Sequence, residues 1–149
     1  MNNCQAYQKY NYYDMNNNMN NNMNNYLNNY NNTNQLYDAY TGFIRGNMFP
    51  KLYDPYKIPN PYEIQPMNEQ AQLLTHLDAL QFALIDLNLY LDVHPEDRNM
   101  INLFNQYRVQ KEQVKKEYEN KFGPLTLSSD ALNTYPWAWI NEPWPWRNQ

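Results

Sequence analysis

The chain has 149 residues and a net charge of −4, with fifteen tyrosines and ten prolines but three glycines. The acidic balance excludes a general nucleic-acid binder, because such proteins cluster lysine and arginine against phosphates. The single cysteine, Cys4, excludes an internal disulfide or a site built from several thiolates.

The sequence shows neither a secretory signal nor an apolar run close to the roughly 20 residues needed to cross a bilayer. We therefore expect synthesis and residence in the cytoplasm, without membrane insertion.

Residues 1–34 form an asparagine-rich segment. Runs of asparagine supply too little apolar surface to offset the entropy of ordering the backbone, so we predict that this segment is disordered. Asparagine interleaved with aromatic residues also favours self-association through amide ladders and ring stacking. An inert extension and an adhesive segment are both consistent with the pattern.

Proline recurs between residues 35 and 66. Each proline fixes φ and disfavours helical geometry at the residue before it, so this segment predicts an extended arm with no long helix and no central strand. Such an arm can present Phe49, Tyr53 and Tyr56 to a groove on another protein. It can equally wrap around the chain's own helices.

The strongest periodicity begins at residue 67. Leucines alternate at spacings of four and three, which places them on one helical face: Leu73, Leu77, Leu80, Leu84, Leu87 and Leu91. Four other apolar residues lie off this seam: Leu74, Phe82, Ile85 and Leu89. The helix is therefore apolar over more of its circumference than one neighbouring helix covers, and something else should cover the remainder.

A second helix should follow a very short loop. Pro95 disfavours helical geometry at His94 and suits the first position of the next helix, where the helix dipole favours Glu96 and Asp97. This helix should end at Gly123. Its apolar set is Met100, Phe104, Tyr107, Val114 and Tyr118.

Two helices of about 24 and 27 residues, joined by such a loop, should pack antiparallel. Lysines at the end of the second helix then lie beside Glu69 and Asp78, in pairs worth at most about 1 kcal/mol each. The predicted fold class is mainly α. It is an antiparallel two-helix hairpin over residues 67–124, with a disordered Asn/Tyr-rich N-terminal region and an extended Pro/Trp-rich C-terminal tail.

The tail, residues 125–149, holds all four tryptophans: Trp137, Trp139, Trp144 and Trp146. Alternation of tryptophan with proline or alanine presents the rings as an extended strip, and each ring can contribute around 2–3 kcal/mol when buried. The tail can fold back over the exposed helix face or bind a partner, since either removes the same apolar area from water.

Residues suited to catalysis are few. His76 lies within the first helix, where a hydrogen-bonded structural histidine is common. Asp92, His94, Glu96 and Asp97 crowd together and could bind a divalent cation weakly, but each also suits a turn or a helix terminus. The sequence has no glycine-rich phosphate loop, paired-cysteine motif or serine elbow. We predict no enzyme activity, catalytic residue, cofactor or metal site.

Several motifs resemble CotJB-type spore coat proteins: DLNLYLDVHP at 86–95, KEY at 116–118, KFGPL at 121–125 and PWPW at 143–146. The resemblance covers residues 67–149 and implies a structural component of the inner coat of bacterial endospores, made in the mother-cell cytoplasm. Residues 46–56 resemble the short, proline- and aromatic-rich CotJA-type coat-associated proteins. The asparagine-rich beginning fits neither pattern.

Members of this family are associated with a third component, CotJC, which resembles a manganese catalase. The resemblance therefore implies that metal chemistry belongs to that partner, because no metal ligand or catalytic residue carries over to this chain. We predict a coat component that docks the catalase-like protein, binds other coat proteins and is open to self-association. The predicted docking residues are Leu74, Phe82, Ile85, Leu89, Trp137, Trp139, Trp144 and Trp146, with Phe49, Tyr53 and Tyr56 on the tethering arm.

Two alternatives differ in class. One is a glycan- or envelope-binding module in which the C-terminal tryptophans stack on sugar rings. The other is an enzyme in its own right, which nothing visible in the sequence favours.

Overall fold

The computed structural model describes residues 36–52 and 63–141. These residues form three α-helices and no strand, which confirms the prediction of a mainly helical chain. Helix α1 spans Ala39–Arg45, α2 spans Glu69–Val93 and α3 spans Arg98–Phe122. Two 3₁₀ turns follow at Asp130–Leu132 and Ala138–Ile140. The asparagine-rich segment lies outside the described residues.

Helix α2 has 25 residues and begins where the Asn68 side chain accepts a hydrogen bond of 2.8 Å from the Ala71 N–H. This cap satisfies one of the N–H groups that have no partner inside the helix. The helix ends at Val93, as Pro95 predicts, and the His94 N–H donates to the Tyr90 carbonyl oxygen.

Helix α3 begins three residues later than the sequence analysis predicts. Pro95 and Glu96 lie in the loop, and Asp97 is the N-cap, with its Oδ1 accepting from the N–H groups of Asn99 and Met100 at 3.1 and 3.2 Å. The carboxylate acts as a direct hydrogen-bond acceptor here, which fixes the start of a helix more firmly than a favourable dipole does. Asp97 Oδ2 also accepts from the Tyr90 hydroxyl at 3.2 Å, which ties the loop to α2.

Helices α2 and α3 pack against each other along their length, with the first turn of α2 beside the last turn of α3. Gln70 donates to the Tyr118 hydroxyl at 3.0 Å, and the Lys121 ammonium contacts carboxylate oxygens of both Glu69 and Glu117 at 2.7 Å. Lys121 therefore pairs with Glu69 and not with Asp78, the other acid predicted for this contact. Because the ion pairs are exposed, they select the register and contribute little stability.

The core between the two helices follows the leucine seam closely. Two of the six seam leucines, Leu77 and Leu91, are only half-buried. On α3, Leu103 is buried, whereas the neighbouring Phe104, which was predicted for the apolar face, is half-buried. The buried core of these helices is Leu73, Ala79, Leu80, Ala83, Leu84 and Leu87 on α2, and Met100, Leu103, Tyr107, Val114 and Tyr118 on α3.

Residues 39–45 form a helix within the segment for which an extended arm is predicted. Asp38 caps α1 by accepting from the N–H groups of Tyr40 and Thr41 at 3.1 and 3.0 Å. Gly46, at φ 78°, ends the helix in the left-handed conformation that glycine adopts without strain. The prolines that favour an extended chain begin only at Pro50, so no proline opposes a helix before it.

The start of the tail is fixed to α3 by a buried carboxylate. Glu119 accepts a hydrogen bond of 3.2 Å from the Leu125 N–H and lies 4.0 Å from the Lys115 ammonium. Two further tail residues, Ser129 and Leu132, are buried, and Ser129 caps the first 3₁₀ turn. The described part of the tail is therefore folded into turns and not extended throughout.

Among the described residues, no helix has both the length and the apolar character required to span a membrane.

Replacing Glu119 with alanine should destabilise the fold by about 1–3 kcal/mol, because the Leu125 N–H loses its acceptor within the protein. Glu119→Gln retains a side-chain oxygen and should cost less than half as much. Chemical denaturation followed by circular dichroism measures both. Glu112→Ala is the matched control, since Glu112 lies exposed on the same helix. Equal stability of the Glu119→Ala and Glu112→Ala proteins would contradict the assignment.

Candidate protein-binding surface

Three apolar side chains are exposed along one side of α2. Ile85, Leu89 and Val93 are 53%, 61% and 72% exposed and follow one another at intervals of four residues. Residues at this spacing lie one above the other on a helix. We call these three residues the exposed stripe.

The exposed stripe includes two of the four off-seam residues predicted to bind a partner, Ile85 and Leu89. Val93 is not among the predicted docking residues, although its spacing of four residues from Leu89 could have identified it. Leu74 is half-buried and lies eleven residues before Ile85, about three helical turns, so it falls on the same side of α2. The remaining off-seam residue, Phe82, faces a different neighbour.

Phe82 contacts the chain itself. Its ring lies 6.1 Å from the ring of Phe43 in α1, and α1 packs on α2. Residues 36–52, which contain α1, therefore cover this side of α2. We call residues 36–52 the docking segment.

A short hydrogen bond fixes the docking segment to α2. The Met48 N–H donates to Oδ2 of Asp86 at 2.6 Å, and the Met48 side chain is fully buried. A charged acceptor strengthens such a bond relative to a neutral one. This contact joins residues 38 positions apart in the chain.

Phe49, which the sequence analysis places on the tethering arm, is buried against α2. Its ring stacks on Tyr90 with centroids 4.7 Å apart, and Tyr90 in turn stacks on His94 at 4.2 Å. Of the two predicted possibilities for this ring, a partner's groove or the chain's own helices, the contact with Tyr90 is of the second kind. Tyr53 and Tyr56 lie outside the described residues.

Two of the four tryptophans lie in the described part of the tail. Trp137 is 51% exposed and Trp139 is half-buried, whereas Trp144 and Trp146 lie outside the described residues. Trp137 is therefore the described tryptophan with the most surface available to a partner.

Acidic side chains lie at both ends of the exposed stripe. Asp78 and Asp92 are exposed; Asp78 lies seven residues before Ile85, about two helical turns, and Asp92 directly precedes Val93. Partial desolvation raises the pKa of the Asp78 carboxyl. Asn88 donates to Asp92 at 3.5 Å. One carboxylate therefore lies before the exposed stripe and another lies beside its last residue.

The residues around the helix loop have structural roles. Asp97 caps α3, and His94 lies against Tyr90, with its Nδ1 3.1 Å from the Tyr90 carbonyl oxygen. Within residues 36–52 and 63–141, no group of three or more histidine, cysteine, aspartate or glutamate side chains is arranged to hold a metal ion.

His76 is half-buried on α2, and burial lowers the pKa of its imidazole below the ordinary value. Glu117, on α3, acts in the opposite direction with a smaller effect. The folded protein therefore disfavours the charged form of His76.

A comparison with protein families matches residues 71–147 to the model described as CotJB protein. The match begins at residue 71, so the resemblance of residues 46–56 to CotJA-type proteins stays a prediction. No curated protein and no solved structure matches the chain.

The lowered pKa of His76 should make the protein less stable as the pH falls. Between 6.5, the ordinary value, and the lower folded-state pKa, the unfolded chain binds more protons than the folded one. The free energy of unfolding should therefore decrease through this range, by at most about 1.4 kcal/mol per pH unit. The raised pKa of Asp78 has the opposite sign and acts at lower pH, nearer its ordinary 3.8.

Urea denaturation at pH 7.5, 6.5 and 5.5 tests this dependence. The slope should be reduced in His76→Gln and preserved in His94→Gln, the matched control that removes the other histidine. An unchanged slope in His76→Gln would show that another group is responsible.

Proposed function

Because this chain belongs to the CotJB family of spore coat proteins, we propose that it works in the endospore coat by binding other coat proteins and not by catalysing a reaction. Family membership makes it a spore coat component. In this proposal the chain is made in the mother-cell cytoplasm and then incorporated into the coat. The partner that we propose is the manganese-catalase-like CotJC-type protein, whose association with the family is implied by the resemblance.

The exposed stripe is the observation that carries the docking proposal. Ile85, Leu89 and Val93 stand on a regular helix whose other sides contact α1 and α3, so their positions are fixed before any partner binds. A preformed surface loses less conformational entropy on binding than a flexible one does. The i, i+4 step between Ile85 and Leu89, and again between Leu89 and Val93, is part of the i, i+3, i+4, i+7 pattern with which an amphipathic helix anchors in an apolar groove.

The size of the stripe is suited to a modest interface. Full burial of a valine, leucine or isoleucine side chain contributes about 1.5–3 kcal/mol, and these three side chains are already partly covered in the free chain. Trp137 adds a large apolar surface if the tail lies at the same interface. Trp144 and Trp146 extend the proposed contact beyond the described residues.

The acidic ends of the stripe define the chemistry of the partner's groove. Asp78 precedes the stripe and Asp92 lies beside its last residue, so a complementary groove is apolar where it meets the stripe and carries lysine or arginine near these two carboxylates. Such rim charges orient the encounter and affect the association rate more than the final affinity. The proposed interaction should therefore form more slowly at high salt.

In this proposal the docking segment differs in role from the tethering arm that the sequence predicts. Since Phe49 is buried against Tyr90, it does not tether the chain to other proteins while the segment is bound. A tether would have to use Tyr53 and Tyr56.

Truncating the stripe should weaken partner binding without unfolding the chain. The Ile85→Ala/Leu89→Ala variant should raise the Kd for the purified catalase-like protein about thirtyfold, which corresponds to about 2 kcal/mol of lost apolar contact. Alanine preserves helix propensity, so the thermal transition should shift little. Isothermal titration calorimetry measures the affinity.

Val109→Ala is the matched control, because Val109 is an apolar residue 49% exposed on α3. It should bind the partner with unchanged affinity. The Trp144→Ala/Trp146→Ala variant tests the contribution of the tail separately from that of the exposed stripe, and it should also weaken binding. Unchanged affinity in the Ile85→Ala/Leu89→Ala variant would reject the stripe as the docking surface.

A further inference from the structure

The docking segment is held together by contacts of its own. The Tyr37 N–H donates to the Met48 carbonyl oxygen at 3.0 Å, so the residues flanking α1 on both sides are joined. The Asn47 N–H donates to the Gly42 carbonyl oxygen, and the Arg45 guanidinium lies over the Tyr37 ring at 5.2 Å. Both partners of each of these contacts lie within residues 36–52.

The surface that receives the segment belongs to the helical hairpin. Phe82, Asp86 and Tyr90 on α2 contact Phe43, Met48 and Phe49 respectively. We call Phe82, Asp86 and Tyr90 the receiving face. Ala79 and Ala83 lie on the same side of α2 as Asp86 and Tyr90 and are fully buried. Their small side chains allow the segment to approach the helix closely.

Two further contacts connect the segment to the hairpin. The buried Tyr107 of α3 is hydrogen-bonded to the backbone of Ala39, and burial raises the pKa of Tyr107 well above its ordinary value. The Tyr40 hydroxyl donates to the Ile64 carbonyl oxygen and lies within hydrogen-bonding distance of the Ile64 N–H, both at 3.2 Å. Ile64 precedes α2, so it lies on the hairpin side of the connection.

All of these contacts lie on the two sides of residues 53–62, the ten residues that join the segment to the hairpin. A connection of ten residues reaches at most about 33–36 Å when fully extended. The contacts named between the docking segment and the receiving face do not involve residues 53–62, so a segment from another chain can make the same contacts.

We propose that the docking segment of one copy binds the receiving face of a second copy, so that the chain links copies of itself by exchanging residues 36–52. The partner copy then contributes Met48 and Phe49 to a site that is incomplete without them. Reciprocal exchange gives a closed dimer, and one-way exchange gives an open chain of copies. This inference depends on the contact within the chain and not on the docking of a catalase-like partner.

The protein concentration determines whether the docking segment binds within its own chain or to a second copy. A short linker presents its own segment at an effective concentration in the millimolar range, so dilute protein keeps the segment bound within the chain. Exchange between copies becomes competitive when the protein concentration approaches that range, as in a packed protein layer. Exchange breaks contacts within one chain and makes the same contacts between two chains, so it changes the total contact energy little.

Two complementary full-length variants test the exchange. Met48→Ala/Phe49→Ala disables the segment and leaves the receiving face intact. Phe82→Ala/Asp86→Ala disables the receiving face and leaves the segment intact. Each variant alone should be monomeric by size-exclusion chromatography with light scattering, and their equimolar mixture should give a species of twice the chain mass. A chain with all four substitutions should form no complex with either variant.

A synthetic peptide of residues 36–52 provides the second measurement. It should bind the Met48→Ala/Phe49→Ala chain at least tenfold more tightly than the unaltered chain, because the unaltered receiving face is already occupied. Fluorescence anisotropy of the labelled peptide measures both affinities, and helical circular dichroism establishes that the variant chain is folded.

Three outcomes would overturn the proposal. The first is loss of helical structure in the Met48→Ala/Phe49→Ala chain, since the segment would then be an inseparable part of the fold. The second is a folded variant that fails to bind the peptide. The third is a mixture of the two variants that stays monomeric.

Discussion

Helix α2 carries apolar side chains around more of its circumference than α3 covers, and the arrangement of the described chain follows from this. The leucine seam faces α3, and Phe82 and the buried alanines face the docking segment. Ile85, Leu89 and Val93 are left exposed beside Phe82. A two-helix hairpin is close to the lower limit of independent stability, so each additional covered side of α2 adds to a small total.

The polar contacts determine where this apolar helix meets its neighbours. Asp86 is on the α2 side that accepts the docking segment, and its carboxylate receives a backbone N–H. Asp97 and Glu119 do the same for the start of α3 and for the tail. In each case a carboxylate accepts from a backbone N–H group that has no partner in regular secondary structure. Burial supplies most of the stability, and these carboxylates select one geometry among several that would bury similar area.

The sequence predicts the parts of the fold that depend on local spacing. The leucine period identifies the buried face of α2, and Pro95 and Gly123 bound the helices, because these effects act within a few residues. It leaves open whether Phe49 packs on the chain's own helices or on a partner, since the contacts of Met48 and Phe49 with Asp86 and Tyr90 join residues about forty positions apart. Nor does it identify Leu103 in place of Phe104, a choice that depends on which neighbour lies opposite each position. For the binding surface, the off-seam pattern identifies Ile85 and Leu89 but cannot separate them from Phe82.

All four tryptophans follow residue 136, and none lies in α1, α2 or α3. Their emission therefore monitors the environment of the tail, while far-ultraviolet circular dichroism monitors the helices. The two signals are spectroscopically orthogonal in this chain without any engineered label. If the tail detaches before the helices melt, the optical transitions will occur at different denaturant concentrations, and the gap between them will measure how strongly the two regions are coupled.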